Sequence, residues 1–355
     1  MELGTHTWHE IQSQPAAWAA ALESVRAQAA FLRDFYHEGQ YEQILLTGCG
    51  STYYLAVAAA ALLQDLTGTP ARGLPASEIW LYPRCALSRH RTLLIAIGRS
   101  GETTETLRAC RVFLTSPRAE GCDLLTLCCS AGQPLTTLGA LNLVFPTGQE
   151  KSIAQTRAFT TLYIASVALA VLWAGRDDWL NELARLPEIG GRLLTNYADL
   201  ARERSHDANL DRFYFLGSGP RYGLACELSL KMKEMSLSHS EPFQFMEFRH
   251  GPKSMVNEHT LVVGLVSETN RAHETLVLDE MRSYGAHILT MAEAEADVVF
   301  NSQAREAIRD VLYLPFGQML AFYRSLNRGL DPDHPKNLEA VVRLNTCNEF
   351  VGEKR

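Results

Sequence analysis

The chain has 355 residues, which is more than one typical domain needs and enough for two. Hydrophobic residues make up 46% of it and charged residues 21%, as in a globular protein with a sizeable core. A net charge of −7 at pH 7 argues against a nucleic-acid-binding protein, which normally carries a basic face. We expect no signal peptide and no membrane partner, because the N-terminus lacks a basic and apolar leader and no apolar run approaches the roughly 20 residues of a membrane helix.

The eight cysteines are scattered along the chain without a C-x-x-C pair. Several lie inside apolar runs, where a reduced thiol packs as a small hydrophobic group. This usage predicts a protein of the reducing cytoplasm. The sequence shows no convincing cluster of metal-ligating residues, so we expect neither a metal nor an organic cofactor.

Apolar residues recur at helical spacing over residues 16–36, which predicts a helix that leads into the first domain. The chain then alternates between short apolar runs, typical of buried strands, and helical patterns. The predicted strands are 43–48, 92–97, 123–128 and 142–145, and the predicted helices are 53–66, 103–114 and 158–173. Such alternation indicates a parallel sheet with helices on both faces.

A more polar helical connection follows at 175–209, and the pattern then starts again. The second set of predicted strands is 212–217, 260–267 and 287–291, and the second set of predicted helices is 222–237, 274–284 and 312–326. Residues 44–52 match residues 213–221 in type and placement, and residues 95–100 match residues 262–267. The two halves therefore resemble two copies of one unit.

An internal duplication predicts an α/β protein with two tandem doubly wound parallel-sheet domains, each with three α/β/α layers. The predicted division is a helical lead-in at 1–36, a first domain at 37–175, a helical linker at 176–209, a second domain at 210–345 and a tail at 346–355. A ligand is expected in the crevice at the carboxyl ends of the strands.

Two loops at the ends of predicted strands carry groups that suit a phosphate. Residues 48–52 (GCGST) combine glycines with the hydroxyls of Ser51 and Thr52 at a helix start, although such turns also join strands to helices without any ligand. Residues 98–104 (GRSGETT) repeat the arrangement, with a positive charge from Arg99. Neither loop matches a nucleotide motif, so together they favour a small phosphorylated ligand.

Within the second loop, Ser100 and Thr103 supply hydroxyls and Gly101 permits close approach. We interpret Glu102 as a helix cap or a partner of the helix dipole rather than a substrate contact. The polar run at 150–157, which contains Gln155, either caps the helix that follows or binds a hydroxyl-rich substrate.

The second half contributes three charged residues and a histidine. Glu227, Lys231 and Glu234 share one helical face, either as a surface ladder of ion pairs or as a partly buried group, because the rest of that helix is largely apolar. His250 precedes Gly-Pro and lies on a turn. Aldose–ketose interconversion needs an acid or base to open the sugar ring and a carboxylate to move a proton, and His250 and Glu234 suit those two tasks.

These motifs resemble those of one family. GCGST, RSGETTETL, EKSIAQTRAFTT, ELSLKMKEMSLSHSEPFQFMEFRHGP and PKNLEAV occur in the order found in two-domain sugar isomerase (SIS) proteins. The resemblance extends to the isomerase half of glucosamine–fructose-6-phosphate aminotransferase and to stand-alone glucosamine-6-phosphate and galactosamine-6-phosphate deaminase/isomerases. It covers the chain from about Trp8 to Val342.

The resemblance implies a role for each matching residue. Phosphate contacts fall on Gly50, Ser51, Thr52, Ser100 and Thr103, with Arg99 at a neighbouring contact position and Gln155 at a sugar contact. The proton-shuttling glutamate matches Glu234, the ring-opening histidine matches His250, and Lys231 matches a lysine of the substrate cleft. The family also implies a homodimer in which the His250 loop reaches into the neighbouring subunit's site.

The sequence departs from the aminotransferase at two places. The chain starts MELGTHTW without room for a glutaminase domain, so we expect no glutamine-dependent amination. Ala340 stands where the aminotransferase has a lysine that helps to open the ketose, and the nearby Lys336 is not assigned that role. The expected activity is isomerisation of a hexose or hexosamine 6-phosphate, with or without loss of ammonia. The alternatives are a non-catalytic sensor of a phosphosugar and, less favoured, a metal-dependent isomerase.

Overall fold

The computed structural model describes residues 3–344, so the tail predicted at 346–355 lies outside the described residues. The helices and strands of the first half are α1 (Thr5–Gln12), α2 (Gln14–Ala27), α3 (Ala29–Gly39), β1 (Gln43–Gly48), α4 (Ser51–Thr67), β2 (Ala71–Pro75), α5 (Ala76–Leu81), α6 (Pro83–Ala86), β3 (Thr92–Gly98), α7 (Thr104–Thr115), β4 (Asp123–Cys128), β5 (Leu141–Val144) and α8 (Arg157–Trp173).

Three helices connect this half to the second one: α9 (Trp179–Leu183), α10 (Leu186–Asn196) and α11 (Ala198–Ser205). The second half contains β6 (Arg212–Leu216), α12 (Pro220–Ser236), β7 (His239–Phe243), α13 (Phe245–Phe248), β8 (Thr260–Leu265), α14 (Arg271–Ser283), β9 (His287–Ala292), β10 (Val298–Val299) and α15 (Leu314–Asn327).

The strands form two parallel five-stranded sheets, ordered β2-β1-β3-β4-β5 and β10-β9-β8-β6-β7. In each sheet the first strand of the half lies inside, and the chain moves to one side and then to the other. This is the doubly wound arrangement, and it confirms the predicted α/β class with two tandem domains. Among residues 3–344, no helix is both long enough and apolar enough to cross a membrane.

A layer of helices between the two sheets forms a shared core. In β1, Ile44 and Leu46 face this central core, whereas Leu45 faces a separate cluster under α5 and α7. The central core contains residues from α4, α8, α12 and α15, and α8 is buried from Ala158 to Trp173. The apolar side chains therefore join the two domains into one packed body.

The sequence analysis missed the outer strands β2, β7 and β10. Each lies at an edge of its sheet, where many side chains are only partly buried and no long apolar run marks the strand. The helix predicted at 16–36 is wrong as a single element, because α2 and α3 meet at Gln28, whose backbone leaves the helical conformation. The other predicted strands and helices are present, with ends shifted by a few residues.

The N-terminal helix α1 ties together two distant segments of the chain. Asp333 accepts hydrogen bonds from the backbone N–H of Thr7 at 2.7 Å and from its hydroxyl at 2.7 Å. Glu10 accepts hydrogen bonds from the N–H groups of Lys151 and Ser152, at 2.6 and 3.3 Å, and from the Ser152 hydroxyl. The lead-in therefore fixes the segment before α8, which borders the loop after β3.

Candidate functional site

The two hydroxyl-rich loops lie side by side, because they follow β1 and β3, which pair directly. Gly50 has φ 56° and ψ −123°, a conformation that favours glycine, and a Cβ atom there would meet no atom within 4 Å. Gly101 has φ 75°, and a Cβ there would lie 2.8 Å from the Cβ of Gln133. The first loop thus presents its backbone to open space, while the second is held tightly from behind.

The hydroxyls of these loops have different tasks. Thr52 Oγ1 accepts a hydrogen bond from the N–H of Cys49 at 2.9 Å and donates to its carbonyl at 3.0 Å, so it fixes the first loop. Ser100 Oγ accepts from the N–H of Glu102 at 3.2 Å and fixes the second. Thr103 is the N-cap residue of α7, but its side chain makes no cap hydrogen bond. Its hydroxyl is therefore available to a ligand.

Arg99 is buried and holds neighbouring segments together. Its guanidinium donates to the carbonyls of Ser152 at 3.0 Å, Ile153 at 2.9 Å and Ala340 at 2.8 Å. The carboxylate of Glu150 lies 3.9 Å away. This arginine, expected next to a phosphate, directs its charge towards the walls of the site.

The last described residues lie against the second loop. The N–H of Thr104 donates to the carbonyl of Val342 at 3.4 Å, and the N–H of Leu344 donates to Thr104 Oγ1 at 3.2 Å. Arg343 forms an ion pair with Glu102 at 2.7 Å. Glu102 therefore has a partner within the chain, in agreement with its interpretation as a residue that does not contact the substrate.

Helix α12 of the second domain approaches the first loop through a close contact with α4. A Cβ atom at Gly223 would lie 2.5 Å from both the nitrogen of Ala58 and the carbonyl oxygen of Tyr54, so only glycine allows this approach of the two backbones. As a result, Lys231 Nζ donates a hydrogen bond to Ser51 Oγ at 3.1 Å. The second domain thus completes a site that begins in the first.

The charged face of α12 is buried, so its interpretation as a surface ladder is wrong. Lys231 Nζ lies 3.3 Å from Glu227 Oε1 and donates a hydrogen bond to Glu234. The side chains of Lys231 and Glu227 are fully buried, whereas that of Glu234 is 18% exposed. Among the three, Glu234 is the one that a substrate in the cleft can reach.

Glu227 is a site residue that the sequence analysis did not select. Burial raises its pKa to about 8, and the charge of Lys231 offsets this only in part. Neither of its carboxyl oxygens accepts a well-aligned hydrogen bond from the described residues. Burial lowers the pKa of Lys231, but the charges of Glu227 and Glu234 outweigh it and raise that pKa, so the lysine stays protonated. The sequence signal for Glu227 was its position four residues before Lys231 on the same helical face.

His250 and Gln155 complete the set of expected residues. His250 is exposed after α13, and within the described chain its side chain forms no hydrogen bond or ion pair with Ser51, Lys231 or Glu234. Gln155 precedes α8, and its Oε1 atom is buried without a hydrogen-bond partner among the described residues. The structure therefore brings Ser51, Lys231 and Glu234 together and leaves His250 apart.

Comparison with known proteins identifies the family. The SIS domain model matches residues 40–172 and 208–310. The glutamine–fructose-6-phosphate aminotransferase of Methanothermobacter thermautotrophicus is 28% identical over 346 residues, which cover 94% of this chain and 57% of that protein. The aminotransferase of Pyrobaculum aerophilum is 30% identical over 357 residues, with the same coverage. The chain thus spans little more than half the length of these curated relatives.

Solved structures share the whole fold. Glucosamine-6-phosphate deaminase from Thermotoga maritima is 26% identical with a TM-score of 0.74, and the match covers 92% of this chain and 100% of that one. Tagatose-6-phosphate ketose/aldose isomerase from Escherichia coli is 25% identical with a TM-score of 0.80, covering 94% and 97%. With two matches to the family model across two sheets of the same topology, the chain belongs to the SIS domain family and contains the domain twice.

Proposed function

We propose that the protein is a phosphosugar isomerase that interconverts the aldose and ketose forms of a hexose or hexosamine 6-phosphate. The main support is the contact between Lys231 of the second domain and Ser51 of the first, because it puts a lysine and two carboxylates beside a phosphate-type loop. A sugar whose phosphate occupies the loops then extends its carbon chain towards Glu234.

The first domain binds the phosphate in this proposal. The backbone at Gly50 and the hydroxyls of Ser51, Ser100 and Thr103 surround the phosphate, Thr52 holds the first loop in shape, and the N-termini of α4 and α7 add partial positive charge. Arg99 acts as a positioning residue, because its hydrogen bonds hold the segments that border these loops. Gln155, with its unpaired amide oxygen, contacts a sugar hydroxyl.

Glu234 moves the proton. In the open-chain aldose it takes the proton from C2 while the C1 oxygen gains one, and the enediol forms. Glu234 then returns a proton to C1 as the C2 hydroxyl loses its own, which yields the ketose without net gain or loss of atoms. Lys231, which is held protonated, donates a hydrogen bond to the oxygen on which negative charge develops.

His250 opens the ring from a second copy of the chain. Its loop carries Met246 and Met255, whose side chains are 49% and 51% exposed. Large apolar side chains of this exposure, close in sequence to an exposed histidine, suit a buried contact between two subunits. The active unit is therefore a homodimer in which each His250 completes the partner's site.

The substrate is an amino sugar phosphate or its neutral counterpart. A likeness of 26% to a deaminase supports the first, in which one water is consumed and ammonia leaves with the ketose phosphate. A likeness of 25% to a ketose/aldose isomerase supports the second. Ala340 supplies no amino group for ketose opening, so either reaction proceeds without that lysine.

The test incubates the purified protein with glucosamine 6-phosphate and with galactosamine 6-phosphate, and it assays ammonia and ketose phosphate together. Ammonia with ketose establishes deamination and names the epimer. Conversion of neutral aldose 6-phosphates to ketose 6-phosphates without ammonia release establishes isomerisation alone. If all of these sugars bind in a calorimeter but none is converted, the protein is a sensor and the proposal of an enzyme fails.

A further inference from the structure

The second domain has a cleft of its own at the place that corresponds to the candidate site. A cavity of about 700 Å³ lies where β6 and β8 end, lined by the loop at 218–221 and by the start of α14. Gly219 has φ 59° and ψ −135°, almost the conformation of Gly50. Asn270 is the N-cap residue of α14, as Thr103 is of α7. The second cleft therefore repeats the loops of the first.

Helices α4 and α12 also exchange their roles between the two clefts. When the two halves are aligned on Gly50 and Gly219, Leu62 of α4 corresponds to Lys231 of α12, and Asp65 corresponds to Glu234. Leu62 and Asp65 both line the second cavity. The second cleft thus retains a carboxylate at its mouth but has an aliphatic side chain in place of the lysine.

The carboxylate of Glu306 occupies the centre of the repeated loop. It accepts hydrogen bonds from the N–H of Glu268 at 3.0 Å, from the N–H of Thr269 at 3.1 Å and from the Thr269 hydroxyl at 2.6 Å. Arg221 lies 3.1 Å from the same carboxylate. Two consecutive N–H groups, a hydroxyl and a guanidinium at a helix start are the donors that bind a phosphate.

The charges around Glu306 show that its carboxylate satisfies the hydrogen-bond donors of the site. Burial opposes ionisation of Glu306, but the hydrogen bonds from Thr269 and the charge of Arg221 outweigh it, so the pKa of Glu306 is lowered. Arg221 is only 7% exposed and also pairs with Asp310 at 3.3 Å. Glu306 therefore already occupies the N–H groups, the hydroxyl and the guanidinium that a free phosphate would need.

We infer that the second cleft is a phosphate-binding site closed by the chain's own Glu306, and that removal of this carboxylate opens it to inorganic phosphate. Each chain therefore binds one phosphate group fewer than its two repeated clefts would allow. This inference goes beyond the proposed function and does not depend on it, since it concerns the second cleft and not the candidate site.

The experiment counts phosphates bound per chain. Equilibrium dialysis of the full chain with radiolabelled inorganic phosphate, at pH 7 and constant ionic strength, compares the wild type with Glu306→Ala and Glu293→Ala. Glu293 is the matched control, because it also accepts a backbone N–H, that of Gln303 at 2.7 Å, and faces Arg309 at 3.5 Å, but outside the repeated loops. We expect one additional phosphate per chain in Glu306→Ala and none in Glu293→Ala.

An equal count in the wild type and Glu306→Ala overturns the inference, and so does an equal gain in Glu293→Ala. If Glu306→Ala does not fold, Glu306→Ser serves instead, because its side chain is too short to reach both N–H groups. In a crystal of the variant grown with phosphate, the anion should lie on the N–H of Thr269 and on Arg221. If the proposed function fails and the first domain binds no phosphate, every count falls equally and the difference remains.

Discussion

The first and second domains have the same strand order and the same glycine turn, but different side chains surround this turn in each domain. In the first, Ser51 meets Lys231 from the opposite domain and the loops face open space. In the second, Glu306 fills the loop and Arg221 neutralises it from within the domain. Two copies of one fold thus differ in the charged side chains that surround the same turn, while the backbone that presents them stays the same.

The largest expected effect comes from changing Glu234, the carboxylate whose counterpart in the second cleft is Asp65. Glu234→Gln should lower kcat by roughly 10²–10⁴-fold, because the amide no longer accepts the substrate proton. Substrate affinity, measured by calorimetry, should change little. Asp65→Asn, at the corresponding position of the second cleft, should leave kcat unchanged. Equal losses in the two variants would contradict the assignment of the first cleft as the active one.

Lys231 of α12 can be replaced by leucine, the residue found at the corresponding position of α4, Leu62. Lys231→Leu should lower the free energy of unfolding by about 3 kcal/mol, since it leaves the Glu227 carboxyl buried without a polar partner and removes the cation that pairs with Glu234. Adding Glu227→Ala, which matches Ala58 of α4, should restore most of this stability but no activity. Urea unfolding measures both. Lys253→Leu, which breaks an ion pair on a partly exposed lysine, is the control and should cost much less stability than Lys231→Leu. If the double variant is no more stable than Lys231→Leu, the stabilising pair of Lys231 with Glu227 is refuted.

Arg99 has Val266 as its counterpart in the second domain. Arg99→Val removes the donors for three carbonyls and should raise KM with a loss of roughly 1–3 kcal/mol in stability. The comparison variant is Arg309→Val, which loses a buried arginine of the second domain that also bonds a carbonyl, that of Ala304 at 2.7 Å. It should lose stability while KM stays near the wild-type value. An unchanged KM in Arg99→Val would show that the loops do not depend on this arginine.

The last expected effect is a slope of stability with pH. Glu227 ionises near its ordinary pKa of 4.5 in the unfolded chain but retains its proton up to a pKa of about 8 in the folded one. Its contribution is therefore complete below pH 4.5 and is lost as the pH rises through 8. Between these values the wild type should lose up to about 1.4 kcal/mol per pH unit more than Glu227→Gln. Urea unfolding from pH 5 to pH 8 measures the slopes, and Glu258→Gln, on an exposed side chain, should leave the wild-type slope unchanged.

The periodic parts of the fold could be predicted from the sequence, because buried strands and apolar helices carry continuous patterns. The shared face of Glu227, Lys231 and Glu234 followed from helical spacing alone. Their burial against the first domain did not, since it depends on the crossing of α4 and α12 at Gly223. The edge strands escaped notice because they are short and many of their side chains are only partly buried.

The direction of a charged side chain was the hardest feature to infer. Arg99 stands in a phosphate-type loop, but its guanidinium turns towards carbonyls from residues 152, 153 and 340, and contacts so distant in sequence leave no local pattern. Glu306 is separated from Thr269 by the helix α14 and the strands β9 and β10, and it gave no signal of its own. Such contacts are set by tertiary packing, whereas the glycine turns that create the clefts are local.

The shared central core has a consequence for how the chain can be divided. Leu55 of α4, Leu224 of α12 and Met319 of α15 belong to one apolar cluster, so a cut within the connecting helices α9–α11 would separate the peptide but not the packing. The two fragments should remain bound as a non-covalent pair, and each one alone would expose a broad apolar surface and aggregate. Although the sequence repeats itself, neither repeat is a self-sufficient folding unit.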